Sequence, residues 1–171
     1  MKRNLLSFLW LFAFFCSVGC DSNTDPSFES VDTVSIGVIL PQTVPGPLQH
    51  EAEYAAIQLA IERVNEYLSE NAPEKRVLAQ IRDSRYSTED ILEALEDFVE
   101  MGIKVAVFSG LSSNLDNVKE FVHENGILII NQSSTATLLS EADNIFRLVP
   151  DDDYLSEVLA GVFTPDPAVV C

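Results

Sequence analysis

The chain has 171 residues, 47% of them hydrophobic and 22% charged, which is enough apolar material for one domain with a sizeable core and too much for a disordered polymer. Twenty-seven acids against ten bases give a formal net charge of -17. That balance counts against nucleic acid or an anionic headgroup as a partner, since both are gripped by Lys and Arg, and the acidity reads as a solvated surface.

Lys2 and Arg3 open the chain, residues 5–15 are apolar except for Ser7, and Ser17, Val18 and Gly19 place small residues before Cys20. This is the pattern of an export signal over residues 1–19, and its apolar run is too short for a transmembrane helix of about 20 apolar residues. The run stopping at Gly19 and Cys20 resembles the lipobox of bacterial lipoproteins, which implies diacylation of Cys20 and a lipid anchor to the membrane. Ser17 departs from that pattern, which prefers Leu three residues before the cysteine, and an ordinary signal peptidase could also accept Ser17 and Gly19. Cys16 leaves with the signal and Cys171 is the last residue, so the folded part has no internal pair to bridge. Residues 20–32 are polar and aperiodic, a lipid-attachment point followed by a flexible tether.

Residues 33–40 form a first strand, and the prolines at 41, 45 and 47 force an irregular loop after it. From Gln49 the pattern is helical: Ile57, Ile61, Val64 and Leu68 make an apolar stripe, Ala55, Ala56 and Ala60 allow close approach to a sheet, and Glu51 and Glu53 are helix-start charges. Residues 76–83 are a second strand. Ser87 with Asp90 imitates a capping box, Ile91, Leu95, Phe98 and Val99 form the next helical stripe, and Gly102 ends it. Residues 104–108 are a third strand, Leu115, Val118, Phe121 and Val122 fall at helical spacing, Gly126 stops that helix, and residues 127–130 are a fourth strand. Residues 136–142 are a turn or short helix, 144–150 a fifth strand, and 151–163 a helix with acids at its start. Strands alternating with helices predict an α/β fold, a doubly wound parallel sheet with helices on both faces.

Parallel strands joined by a helix bring the loop at Ser109, Gly110, Leu111, Ser112 and Ser113 and the loop at Asn131, Gln132, Ser133, Ser134 and Thr135 to one carboxyl edge, where open α/β sheets bind ligands. A carboxylate seeks several donors in a partly desolvated place, and a helix beginning at Ser113 would point free N–H groups and its positive dipole end there. Ser113, with Asp116 three residues on, reads equally as an N-cap, and Ser133, Ser134 and Thr135 as satisfying their own turn.

The ordered series resembles the amino-terminal lobe of type I periplasmic binding proteins of the leucine/isoleucine/valine-binding kind over about residues 33–163. It comprises the first strand with its Pro/Gly loop and Ala-rich helix, the strand ending in Asp83, the two hydroxyl loops, and the strand carrying Phe146 and Arg147. The resemblance implies an extracytoplasmic solute-binding lipoprotein that delivers amino acids or related small molecules to an ABC permease, without cofactor. It further implies ligand contacts at Ser112, Ser113, Ser133, Ser134 and Thr135, with side-chain hydroxyls from Ser113 and Thr135 and a backbone N–H from Ser133. Such proteins carry a second lobe after hinge crossovers, so residues 164–171 are expected to be a truncated hinge or tail, and the solute cannot be inferred.

Enzymatic readings lack carriers. There is no G-x-G-x-x-G after a strand, no phosphate-binding G-x-x-x-x-G-K-[ST], and no serine in a G-x-S-x-G setting. His50 and His123 are too isolated for a catalytic or metal cluster. The remaining alternative is a ligand-sensing or envelope protein-interaction lobe, which the same architecture serves.

Overall fold

Nine residues, Asp32–Leu40, form strand β1, exposed where it begins and fully buried over 37–40. The computed structural model describes residues 31–43, 49–141 and 144–163, without the side chains of Gln49, His50 and Phe163. The export signal, Cys20, most of the tether and the 164–171 tail lie outside the described residues. β1 is followed by α1 (Gln49–Asn71), β2 (Lys75–Asp83), α2 (Thr88–Glu100), β3 (Val105–Phe108), α3 (Ser112–Glu124), β4 (Leu128–Asn131), a single 3-10 turn (Thr137–Leu139), β5 (Ile145–Arg147) and α4 (Asp152–Phe163).

The five strands are all parallel, in the order β2-β1-β3-β4-β5. From β1 the chain moves one way to β2, then back past β1 to β3 and on to β4. Right-handed crossovers in opposite directions place α1 on one face and α2 and α3 on the other. This is the doubly wound α/β sheet expected from the alternation of strands and helices.

The α2/α3 face is a packed core. Ile39, Ala106, Phe108, Ile129 and Ile145 from the strands meet Ile91, Leu95 and Phe98 of α2 and Leu115, Val118 and Val122 of α3. The stripe at helical spacing is what buries these side chains, and Phe98 is wholly enclosed. Gly37 makes that possible: a Cβ there would lie 2.3 Å from Phe98 Cε2. On the neighbouring strand Arg82 lies over the Phe98 ring and bonds Asp97 at 2.9 Å. Ser87 Oγ accepts the Asp90 N–H at 3.3 Å as the N-cap of α2. The helix exits turn at Gly102 and Gly126, both with positive φ.

The α1 face differs from the expectation. No described side chain of α1 is buried: Ile57, Ile61 and Leu68 are half-buried, while Val64, Ala55, Ala56 and Ala60 are exposed. The cause is lateral. α1 lies mainly over the edge strand β2, where Asn65 donates to Val77 O at 2.9 Å and accepts from its N–H at 2.8 Å. An amide bridge to an edge strand, rather than an alanine seam on the sheet, sets its seat. The fifth strand is also shorter than expected. Its ladder ends where the Leu148 N–H reaches Asn131 O, and Leu148 is exposed. Asp151 begins the last helix by accepting the Tyr154 N–H at 2.9 Å, and every described side chain of α4 is exposed.

Candidate ligand-binding rim

Because the strands run parallel, the loops after β1, β2, β3 and β4 all leave from one carboxyl edge. The two hydroxyl loops are joined directly. Ser133 Oγ accepts the Gly110 N–H at 2.9 Å and donates to Gly110 O at 3.1 Å, and Ser134 Oγ also donates to Gly110 O at 3.1 Å. Asn131, fully buried at the end of β4, shapes the second loop from below: its Oδ1 accepts the N–H groups of Ser133 and Ser134, and its Nδ2 donates to Ser134 O.

The five expected site residues therefore divide. The Ser133 and Ser134 hydroxyls are committed to Gly110, Ser134 is buried, and the Ser133 N–H is bonded to Asn131 at 3.2 Å. Ser112 Oγ accepts the Ala136 N–H at 3.3 Å, tying the first turn of α3 to the second loop. Ser113 is exposed and Thr135 half-buried. Among the described residues their hydroxyls make no hydrogen bond. α3 starts one residue earlier than expected, with Leu111 at the N-cap and no side-chain cap, so Ser113 is not the N-cap. The first N–H groups of α3 are left without a capping side chain, the condition that makes a helix start attractive to an anion.

Sequence reasoning overlooked the groups that brace this rim. Asp83, at the end of β2, accepts from the Gln42 N–H at 2.7 Å, the Thr43 hydroxyl and the Arg85 N–H at 3.1 Å. Burial works to raise its pKa, but these donors together overcome it and hold the carboxyl below its ordinary value. Arg85 and Tyr86 follow in consecutive left-handed conformations, uncommon for residues with a side chain. The turn is held by an Arg85–Asp90 ion pair and by Asn114 Nδ2, which donates to Tyr86 O at 2.8 Å from the first turn of α3. Glu53, read as a helix-start charge, accepts the Ser109 hydroxyl at 3.0 Å across 56 positions. Arg147 donates to Thr135 O, Ala136 O and Ser140 Oγ. Such long-range pairings leave no periodic trace in a sequence.

A separate hollow of about 840 Å³ opens between the 3-10 turn, β5 and the start of α4, lined by Leu139, Phe146, Val149 and Tyr154 with Arg147 and Asp151. None of the five expected residues lines it. Among the described residues no group of three or more His, Cys, Asp or Glu side chains is placed to hold a metal ion.

Sheet order, parallel pairing and a hydroxyl-lined carboxyl edge define a lobe of the type I periplasmic-binding-protein fold, and solved structures agree. The branched-chain amino acid transporter substrate-binding protein of Streptococcus pneumoniae, in complex with isoleucine, superposes with a TM-score of 0.67 at 17% identity, covering 79% of this chain and 39% of that one. The ABC transporter substrate-binding protein of Desulfitobacterium hafniense, in complex with leucine, gives 0.66 at 20% identity, over 77% and 38%. By sequence, an uncharacterized protein of Methanocaldococcus jannaschii is 23% identical over 154 residues, 86% of this chain and 37% of that protein. The chain thus spans somewhat over a third of the length of these relatives, an extent that fits one lobe. Residues 52–164 match the family described as the receptor family ligand binding region, and the chain belongs to that family.

Proposed function

We propose that the chain is the amino-terminal ligand-binding lobe of an extracytoplasmic solute-binding lipoprotein, anchored through Cys20, which hands amino acids or related small molecules to an ABC permease and catalyses nothing. The observation that carries this reading is the pair of uncommitted hydroxyls, Ser113 and Thr135, beside the uncapped start of α3 at the carboxyl edge. Leucine and isoleucine, held by the two solved neighbours, share an α-carboxylate, the group such donors suit. On this reading the hydroxyls of Ser133 and Ser134 shape the loop, and Ser112 links it to the helix whose N–H groups meet the anion.

Calorimetric titration of the purified chain with amino acids tests the contacts. A hydrogen bond to a charged group is worth about 1.5–3 kcal/mol, so Ser113→Ala and Thr135→Ala should each weaken binding by roughly tenfold to a hundredfold. Unchanged affinity for every bound solute would refute the assignment. For the anchor, incorporation of labelled fatty acid should vanish in Cys20→Ala; label retained there would place the lipid elsewhere.

A further inference from the structure

Arg147 stands at the end of β5 with its side chain only 10% exposed, yet most of what it touches is neutral. Its Nη1 donates to Thr135 O at 3.3 Å and its Nη2 to Ala136 O at 2.9 Å and Ser140 Oγ at 3.1 Å, while Nε is buried without an acceptor. The carboxylate within ion-pair reach among the described residues is Asp151, at 3.9 Å. A guanidinium this enclosed usually has a close counter-charge, because desolvating an unpaired cation is costly. Here the positive charge is spent on two successive carbonyls of the second hydroxyl loop. The same segment is held from the other side, since the Ala136 N–H donates to Ser112 Oγ. A chain of hydrogen bonds therefore runs from Arg147 through Ala136 to the first residue of α3, with Thr135 clamped beside it.

We infer that Arg147 is a positioning residue for an anionic ligand on this rim: its planar fork sets where Thr135 stands relative to the start of α3, and its incompletely countered charge favours a carboxylate there. This rests on the carboxylate reading above. Lysine keeps the charge but cannot span two carbonyls in one plane, so the arrangement requires arginine.

The test is equilibrium binding of leucine and of leucinamide, which lacks the anionic group, to the whole chain, with thermal unfolding recorded alongside. Arg147→Lys should weaken leucine binding by about tenfold or more while leucinamide changes by less than about threefold, because the loss falls on the carboxylate contact. Equal losses for both ligands, or no loss for either, would overturn the role. If Arg147→Lys does not fold, Ser140→Ala, which removes the hydroxyl that accepts from Nη2 and donates to Asp151 Oδ2, is judged by the same split, with a loss of about two- to fivefold expected for leucine alone. A wild-type chain that binds leucine no better than leucinamide, or binds neither, removes the carboxylate reading and the arginine's role with it. A wild-type chain that prefers leucine, beside an Arg147→Lys chain that prefers it equally, removes the arginine's role alone.

Discussion

The face of the sheet that carries α2 and α3 and the face that carries α1 are built from the same five strands, yet they bury their side chains to different degrees. Phe98, Leu95, Ile91, Leu115 and Val122 are almost entirely enclosed, whereas no described side chain of α1 is buried and the α4 residues Leu155, Val158, Leu159 and Val162 remain exposed. Apolar area removed from water is the main favourable term in folding. The α2/α3 face therefore carries most of the stability, and it is also the face whose loops, through Asn114 and Gly110, brace the rim. Helices on one sheet thus do different work according to how sharply their apolar residues gather on one side and which strands lie beneath them.

Several substitutions bear on this contrast. The largest effect is expected from Phe98→Ala, about 3–5 kcal/mol by urea unfolding, against less than about 1 kcal/mol for Val64→Ala on α1. Equal costs would abolish the distinction between the faces. Gly37→Ala should cost about 1–3 kcal/mol by forcing a methyl into the Phe98 ring, and the penalty should shrink when Phe98→Ala is present, since the two sites share that space. Asn131→Ala strands the N–H groups of half-buried Ser133 and buried Ser134 and should cost about 1–3 kcal/mol, with loosened exchange protection confined to the second loop. A milder effect should follow from pH. Asp83 has its folded pKa held below the ordinary 3.8, so its contribution is fully present above that value and is lost as pH falls through the lower folded one. Stability should decline on acidification below about pH 4, and less steeply in Asp83→Asn, a difference that acid titration of the unfolding midpoint would show. Least of all, Leu159→Asp on α4 should stay within about 0.5 kcal/mol of wild type.

The packed half of the fold was legible because its signals are local and periodic. Ile91, Leu95 and Phe98 repeat at helical spacing, Ser87 caps its own helix, and Gly102 and Gly126 supply the left-handed exits that other residues resist. The rim was legible only as two hydroxyl-rich loops on a shared edge. Which hydroxyls are already taken depends on Gly110 and Ala136, and the first of these lies more than twenty positions from the serines it meets. Ser113 followed by Asp116 has the form of a cap, but the chain leaving the Gly110 clasp places the N-cap two residues earlier, at Leu111. The alanines of α1 imitate a core seam because periodicity reports which residues share a face and is silent on what lies against it.

The interior place of β1, between β2 and β3, has a consequence for biosynthesis. It is the first of the described strands to be made, yet one of its edges waits for β2 and the other for β3, whose Ala106, Val107 and Phe108 pair with Gly37, Val38 and Ile39. A nascent chain that has not yet extruded β3 from the ribosome carries the apolar end of β1, Val38, Ile39 and Leu40, with one side open, the kind of unpaired edge that invites wrong pairing.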